Sequence, residues 1–134
     1  MSLAHARVET RIPTMDLMRA KRWYAEKLGL LPSDERDGGL RYEMDSGVFC
    51  LYQSAGHSDG TFTQMAFYVD NIDSEVTELR RRGVVFEDYG IPELAMSNNI
   101  VDIPDNYPSK GRAERGAWFR DSEGNLLGLG QAVK

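Results

Sequence analysis

The sequence predicts an α+β fold, two tandem βαβββ modules forming a curved mixed sheet around a cleft. Three observations carry this. The order of elements repeats imperfectly, with module one at about 7–53 and module two at about 64–131. Each half opens on a strand, Val8–Ile12 and then Gln64–Val69, and seven residues after Glu9 and Gln64 come Asp16 and Asn71, each opening a helix. Each half closes on a polar turn and a strand, Asp45-Ser46-Gly47 before Val48–Gln53 and Asp121-Ser122-Glu123-Gly124-Asn125 before Leu126–Gln131. A duplication of this kind builds one site between its halves.

Asp16 suits the N-cap of the first helix, because its carboxylate accepts from orphan amides of the first turn. Leu17, Ala20, Tyr24 and Leu28 then recur at helical spacing, and Gly29 supplies the left-handed stop. In the second helix Asn71 or Asp73 caps, Ile72, Val76 and Leu79 form the stripe, and Gly83 ends it. Further strands are expected at Leu31–Glu35, Leu40–Met44, Val84–Glu87 and Gly116–Arg120. Asp37-Gly38-Gly39 and Asp45-Ser46-Gly47 make the intervening turns. The segment Tyr89 to Arg115 holds Pro92, Pro104 and Pro108 without sustained periodicity, which reads as a binding loop or a docking wrap.

Length fits one domain, residues 1–134. A net charge of −5 argues against nucleic acid, and no apolar run is long enough for a membrane. The single cysteine favours a reducing, cytoplasmic setting. Sorting strands by parity separates an apolar face (Val8, Thr10, Ile12, Phe49, Leu51, Met65, Phe67, Val69, Leu127, Leu129) from a mixed one. The mixed face carries Glu9, Arg11, Pro13, Cys50, Tyr52, Gln64, Ala66, Tyr68, Leu126, Gly128 and Gly130, and suits a ligand-holding concavity. His5 and His57 read as solvated, and Trp23-Tyr24 as core.

The chain resembles the vicinal oxygen chelate superfamily, the glyoxalase, bleomycin-resistance protein and extradiol dioxygenase fold. Three passages carry the likeness: Arg11–Leu17 followed by Trp23–Leu30, Ala66–Asp73, and Phe119–Leu126, with Ser122 where the family's turn has Pro. In metal-dependent members a divalent ion is held by His, Gln or Glu at four strand positions. Here these fall on Glu9, Cys50, Gln64 and Gly128. Glycine donates nothing, and a thiol beside a carboxylate and an amide is an incoherent set for zinc or for a hard ion. No cofactor is therefore expected, a divalent metal is disfavoured, and the mismatches at Cys50 and Gly128 argue against glyoxalase I activity.

The expected function is binding of a small organic molecule in a metal-free cleft, through Glu9, Arg11, Cys50, Tyr52, Gln64, Tyr68 and Trp118. Glu9 is also the one candidate base. Arg11 suits a carboxylate, or else neutralises Glu9 two residues away. The alternatives are a metal-dependent lyase or dioxygenase with an atypical ligand set, and a non-catalytic structural or regulatory dimer. A homodimer is what the resemblance implies, since many relatives complete the concavity with a partner chain.

Overall fold

The structure is a computed structural model that describes residues 2–88, 96–106 and 112–133. The first module holds β1 (Thr10–Thr14), α1 (Leu17–Trp23) continued by a π-helical turn (Tyr24–Leu28), β2 (Asp34–Arg36), β3 (Gly39–Met44) and β4 (Gly47–Gln53). The second holds β5 (Thr63–Tyr68), α2 (Ile72–Arg81), β6 (Met96–Ser97), β7 (Ile100–Asn106), β8 (Arg112–Arg120) and β9 (Leu126–Ala132). Each module forms its own mixed sheet, in the orders β1-β4-β3-β2 and β5-β9-β8-β7-β6. Within each, the first and last strands pair in parallel and the remaining pairs are antiparallel. The α+β architecture of two tandem modules is the one expected; the second adds one short strand, β6, to the βαβββ order.

Local signals explain the helices. Asp16 caps α1 by accepting from the Arg19 N–H, and Asn71 rather than Asp73 caps α2 by accepting from the Ser74 N–H. Each such cap stabilises its helix by about 1 kcal/mol. Gly29 and Gly83 take φ values of 70° and 98°, which residues with a Cβ rarely adopt. The helices bury Ala20, Tyr24, Ile72, Val76 and Leu79 against Ile12, Phe49, Leu51, Phe119, Leu127 and Leu129 in one apolar cluster spanning both modules. Full burial of such side chains contributes about 2 kcal/mol each.

Four boundaries differ from the sequence reading. β1 begins two residues later than expected, because its pairing with β4 starts at Thr10 opposite Phe49. Val8 is consequently 91% exposed and Glu9 lies just ahead of the strand. β2 is displaced to Asp34–Arg36, where a tight turn sets it against Gly39–Arg41. The expected strand at Val84–Glu87 is reduced to one bridge, Phe86 to Phe119. β7 already covers the edge of β8 up to Gly116, so little edge is left for that segment. The stretch expected to be irregular instead supplies β6, β7 and the first half of β8. Pro104 hid β7, since proline cannot donate to a ladder; the register shifts between Ile103 and Asn106. Residues 89–95 and 107–111, with Pro92 and Pro108, lie outside the described residues.

Candidate ligand site on the mixed faces

Strand register brings the candidate side chains into rows. In the second sheet Trp118 pairs with Gly128, which pairs with Ala66; Gly116 pairs with Gly130, which pairs with Tyr68. The three glycines form a floor that lets large side chains lie down. A Cβ added to Gly128 would stand 3.3 Å from Trp118 Nε1, and one added to Gly116 would stand 3.0 Å from Trp118 Cη2. The indole therefore spans both positions. A Cβ on Gly130 would come within 2.6 Å of Glu114 Oε1 and 2.9 Å of Tyr68 Cε1. Ala66, Tyr68, Glu114, Gly116, Trp118 and Gly128, with Gln64 and Ile103, line a hollow of about 380 Å³.

One polar group in this hollow is unusual. Gln64 Oε1 is buried and has no hydrogen-bond partner among the described residues. An unsatisfied buried acceptor costs about 1–3 kcal/mol. Gln64 also borders, with Tyr52 and Pro13, a neighbouring hollow of about 460 Å³ beneath the linker that carries His57.

In the first sheet the rows are Arg11, Cys50, Arg41 and then Pro13, Tyr52, Gly39. All of these but Pro13 line a hollow of about 350 Å³. Glu9 does not pair with Arg11. Its partner is Arg41, at 3.0 Å, which also bonds Glu43 at 3.2 Å. Arg11 instead lies over the Tyr52 ring, 5.0 Å from its centroid. The reason is register: Arg41 reaches back across the sheet toward the chain ahead of β1, whereas Arg11 sits beside β4, within reach of Tyr52.

The seven candidates thus fall on two surfaces. Arg11, Cys50 and Tyr52 line the first hollow, with Glu9 held at its edge through Arg41. Gln64, Tyr68 and Trp118 line the second. Among the described hollows none joins Arg11 or Cys50 to Trp118; Tyr52 and Gln64 meet only in the hollow between. Arg41 and Glu114 also belong to the mixed face; they sit on β3 and β8, outside the strands whose alternation is legible in the sequence.

The four positions that hold metal in metal-dependent relatives can be tested directly. Glu9 is engaged by Arg41, Cys50 lies between two arginines in its row, and Gly128 is covered by the Trp118 indole. The donor atoms left are the buried Gln64 Oε1 and the Cys50 thiol, an amide oxygen and a soft sulfur. Among the described residues no group of three or more His, Cys, Asp or Glu could hold an ion. The residues present do not fit the metal, because two guanidinium groups oppose a second cation and one position has no donor at all.

The modules are locked together away from these hollows. Tyr24 Oη donates to Asp121 Oδ2 at 2.7 Å, and Asn125 Nδ2 donates to the Pro13 carbonyl at 3.0 Å. Glu123 accepts from Arg19 at 2.8 Å and from the backbone amides of Met15 and Asp16. Burial pushes the Glu123 carboxyl up, but these bonds outweigh it and bring it down to about 2.

Two repeated modules with parallel first and last strands, and a mixed face carrying hollows, define a class of fold rather than one chemistry. Within that class, residues 2–129 match the profile of the Glyoxalase/Bleomycin resistance protein/Dioxygenase superfamily, and the chain belongs to it. Solved structures agree on the fold. A glyoxalase/bleomycin resistance protein/dioxygenase from Alicyclobacillus acidocaldarius is similar at 15% identity and TM-score 0.69, covering 100% of this chain and 96% of that one. One from Nocardioides is similar at 21% identity and TM-score 0.66, over 96% and 86%. TnmS3, an antibiotic binding protein from Streptomyces sp. CB03234, is similar at 22% identity and TM-score 0.65, over 96% and 98%. A search of curated proteins finds no match.

Proposed function

We propose that the chain binds a small, partly aromatic organic molecule on its mixed face, without a metal ion. The observation that carries this is the Trp118 indole laid over Gly116 and Gly128. It fills the space a fourth metal ligand would need and offers a flat apolar wall instead. Tyr68, 59% exposed, borders the same hollow, and aromatic side chains supply large contact area at small entropic cost. Gln64 adds an acceptor that a ligand N–H or O–H would satisfy. The description of TnmS3 as an antibiotic binding protein is in keeping with this reading.

The working form is proposed to be a cytoplasmic homodimer. The two hollows lie on different sheets of one chain, and a second copy set against them would join Arg11 and Tyr52 of one protomer to Trp118 and Tyr68 of the other. Sedimentation should then give twice the monomer mass.

A thermal-shift screen of planar organic compounds, with metal analysis of the purified protein, tests the function. Stabilisation that Trp118→Ala or Tyr68→Ala weakens supports it. Stoichiometric Zn, Ni, Mn or Fe, lost on Glu9→Ala, favours a metal-dependent lyase or dioxygenase. A screen without hits favours a structural or regulatory dimer.

A further inference from the structure

The geometry points to a separate subsite over the first sheet, where Arg11 receives a carboxylate of the ligand. This rests on the mixed face being the ligand-binding face, and it adds a chemical class: the ligand is an organic monoanion.

The arginines of this hollow are not equivalent. Arg41 is shared by Glu9 and Glu43, and Arg36 is matched by Asp34 at 3.1 Å. Arg11 takes part in no ion pair among the described residues. It is exposed, yet it is placed, because its guanidinium lies over the Tyr52 ring. A guanidinium held over a ring face can present its N–H edges to a planar acceptor, which is the geometry a carboxylate needs. Across from Tyr52, position 39 carries no side chain. A Cβ there would stand 2.9 Å from the Leu51 carbonyl, so Gly39 lets β3 lie close against β4 and puts no side chain in the row beside Tyr52.

Charge selects the guest further. Arg41 with two carboxylates leaves a local surplus of negative charge, which disfavours a dianion such as phosphate. The positive charge without a partner is confined to Arg11, and that suits one carboxylate. Cys50 lines the same hollow in the row between Arg11 and Arg41, and as the chain's single cysteine it is a built-in reporter of occupancy.

The test follows Cys50 reacting with uncharged 4,4′-dithiodipyridine. The thiolate attacks one sulfur, a mixed disulfide forms and 4-thiopyridone leaves, giving an absorbance change. At constant ionic strength set with chloride, benzoate should slow the reaction, with half-maximal protection at a concentration about fivefold below that of uncharged benzamide, the factor of one exposed charge contact. In Arg11→Gln, checked for native circular dichroism, the advantage of benzoate should disappear. Equal protection by benzamide, no protection by either, or the advantage retained in Arg11→Gln would each overturn the subsite. Titration of Trp118 fluorescence with uncharged planar compounds is read alongside. If it still responds, only the Arg11 subsite fails; if it too is silent, the ligand-binding reading fails as well.

Discussion

The Tyr24 hydroxyl donates to Asp121 across 97 positions of sequence, joining the helical segment of the first module to the β8–β9 turn of the second. Asp121 then accepts from the amides of Glu123 and Asn125, so one carboxylate both shapes the turn and docks the other module. Burial, then the Asp121 charge, raises the Tyr24 phenol well above its usual range, which keeps it a donor. Tyr24→Phe should lower stability by about 1–3 kcal/mol, since a buried charged acceptor loses a bond. Denaturant midpoints measure this, with an unchanged slope expected.

Glu123 makes stability depend on pH. Its folded-state value near 2 lies below the ordinary 4.5, so it stabilises the fold above 4.5 and that contribution is lost as pH falls toward 2. Glu123→Gln should be less stable at neutral pH and should show a flatter stability profile across that window. Thermal melts of both proteins from pH 6 to pH 2, roughly the range over which carboxylates titrate, provide the comparison.

The sequence disclosed the repeat, both helices and the mixed face because each rests on local chemistry: Asp16 and Asn71 as caps, Gly29 and Gly83 as stops, alternation along β4, β5 and β9. Trp118, Tyr68 and Gln64, candidates in the sequence, come together around one hollow. What it left hidden depends on pairing between strands. The Glu9–Arg41 bond spans 32 positions and is created by register alone. Likewise, Gly128 reads in sequence as a missing ligand; only its pairing with Trp118 reveals it as the seat of an indole. β7 escaped notice because Pro104 sits inside it.

Gln64 carries a testable cost. Gln64→Met removes an unsatisfied buried acceptor while keeping length, so the ligand-free protein should gain about 1 kcal/mol. The same change should weaken any ligand that donates a hydrogen bond there. Thermal shift with and without such a ligand separates the two effects: the free protein melts higher and the shift on binding shrinks.

The glycine floor should tolerate little growth. Gly130→Ala would set a methyl 2.6 Å from Glu114 Oε1 and 2.9 Å from the Tyr68 ring, forcing both to move. Overpacking of this order costs about 1–3 kcal/mol. Calorimetry should record the loss, together with weaker ligand binding, whereas Gly38→Ala, which meets no atom within 4 Å, should be close to neutral.

With Trp23→Phe, which leaves Trp118 as the only indole, fluorescence reports directly on the second hollow. Titration with a panel of planar organic compounds and, separately, with zinc sets the organic guest against the ion. The account predicts saturable quenching by at least one organic compound and no response to equimolar zinc. A one-to-one zinc response abolished by Glu9→Ala, with every organic compound silent, would contradict it.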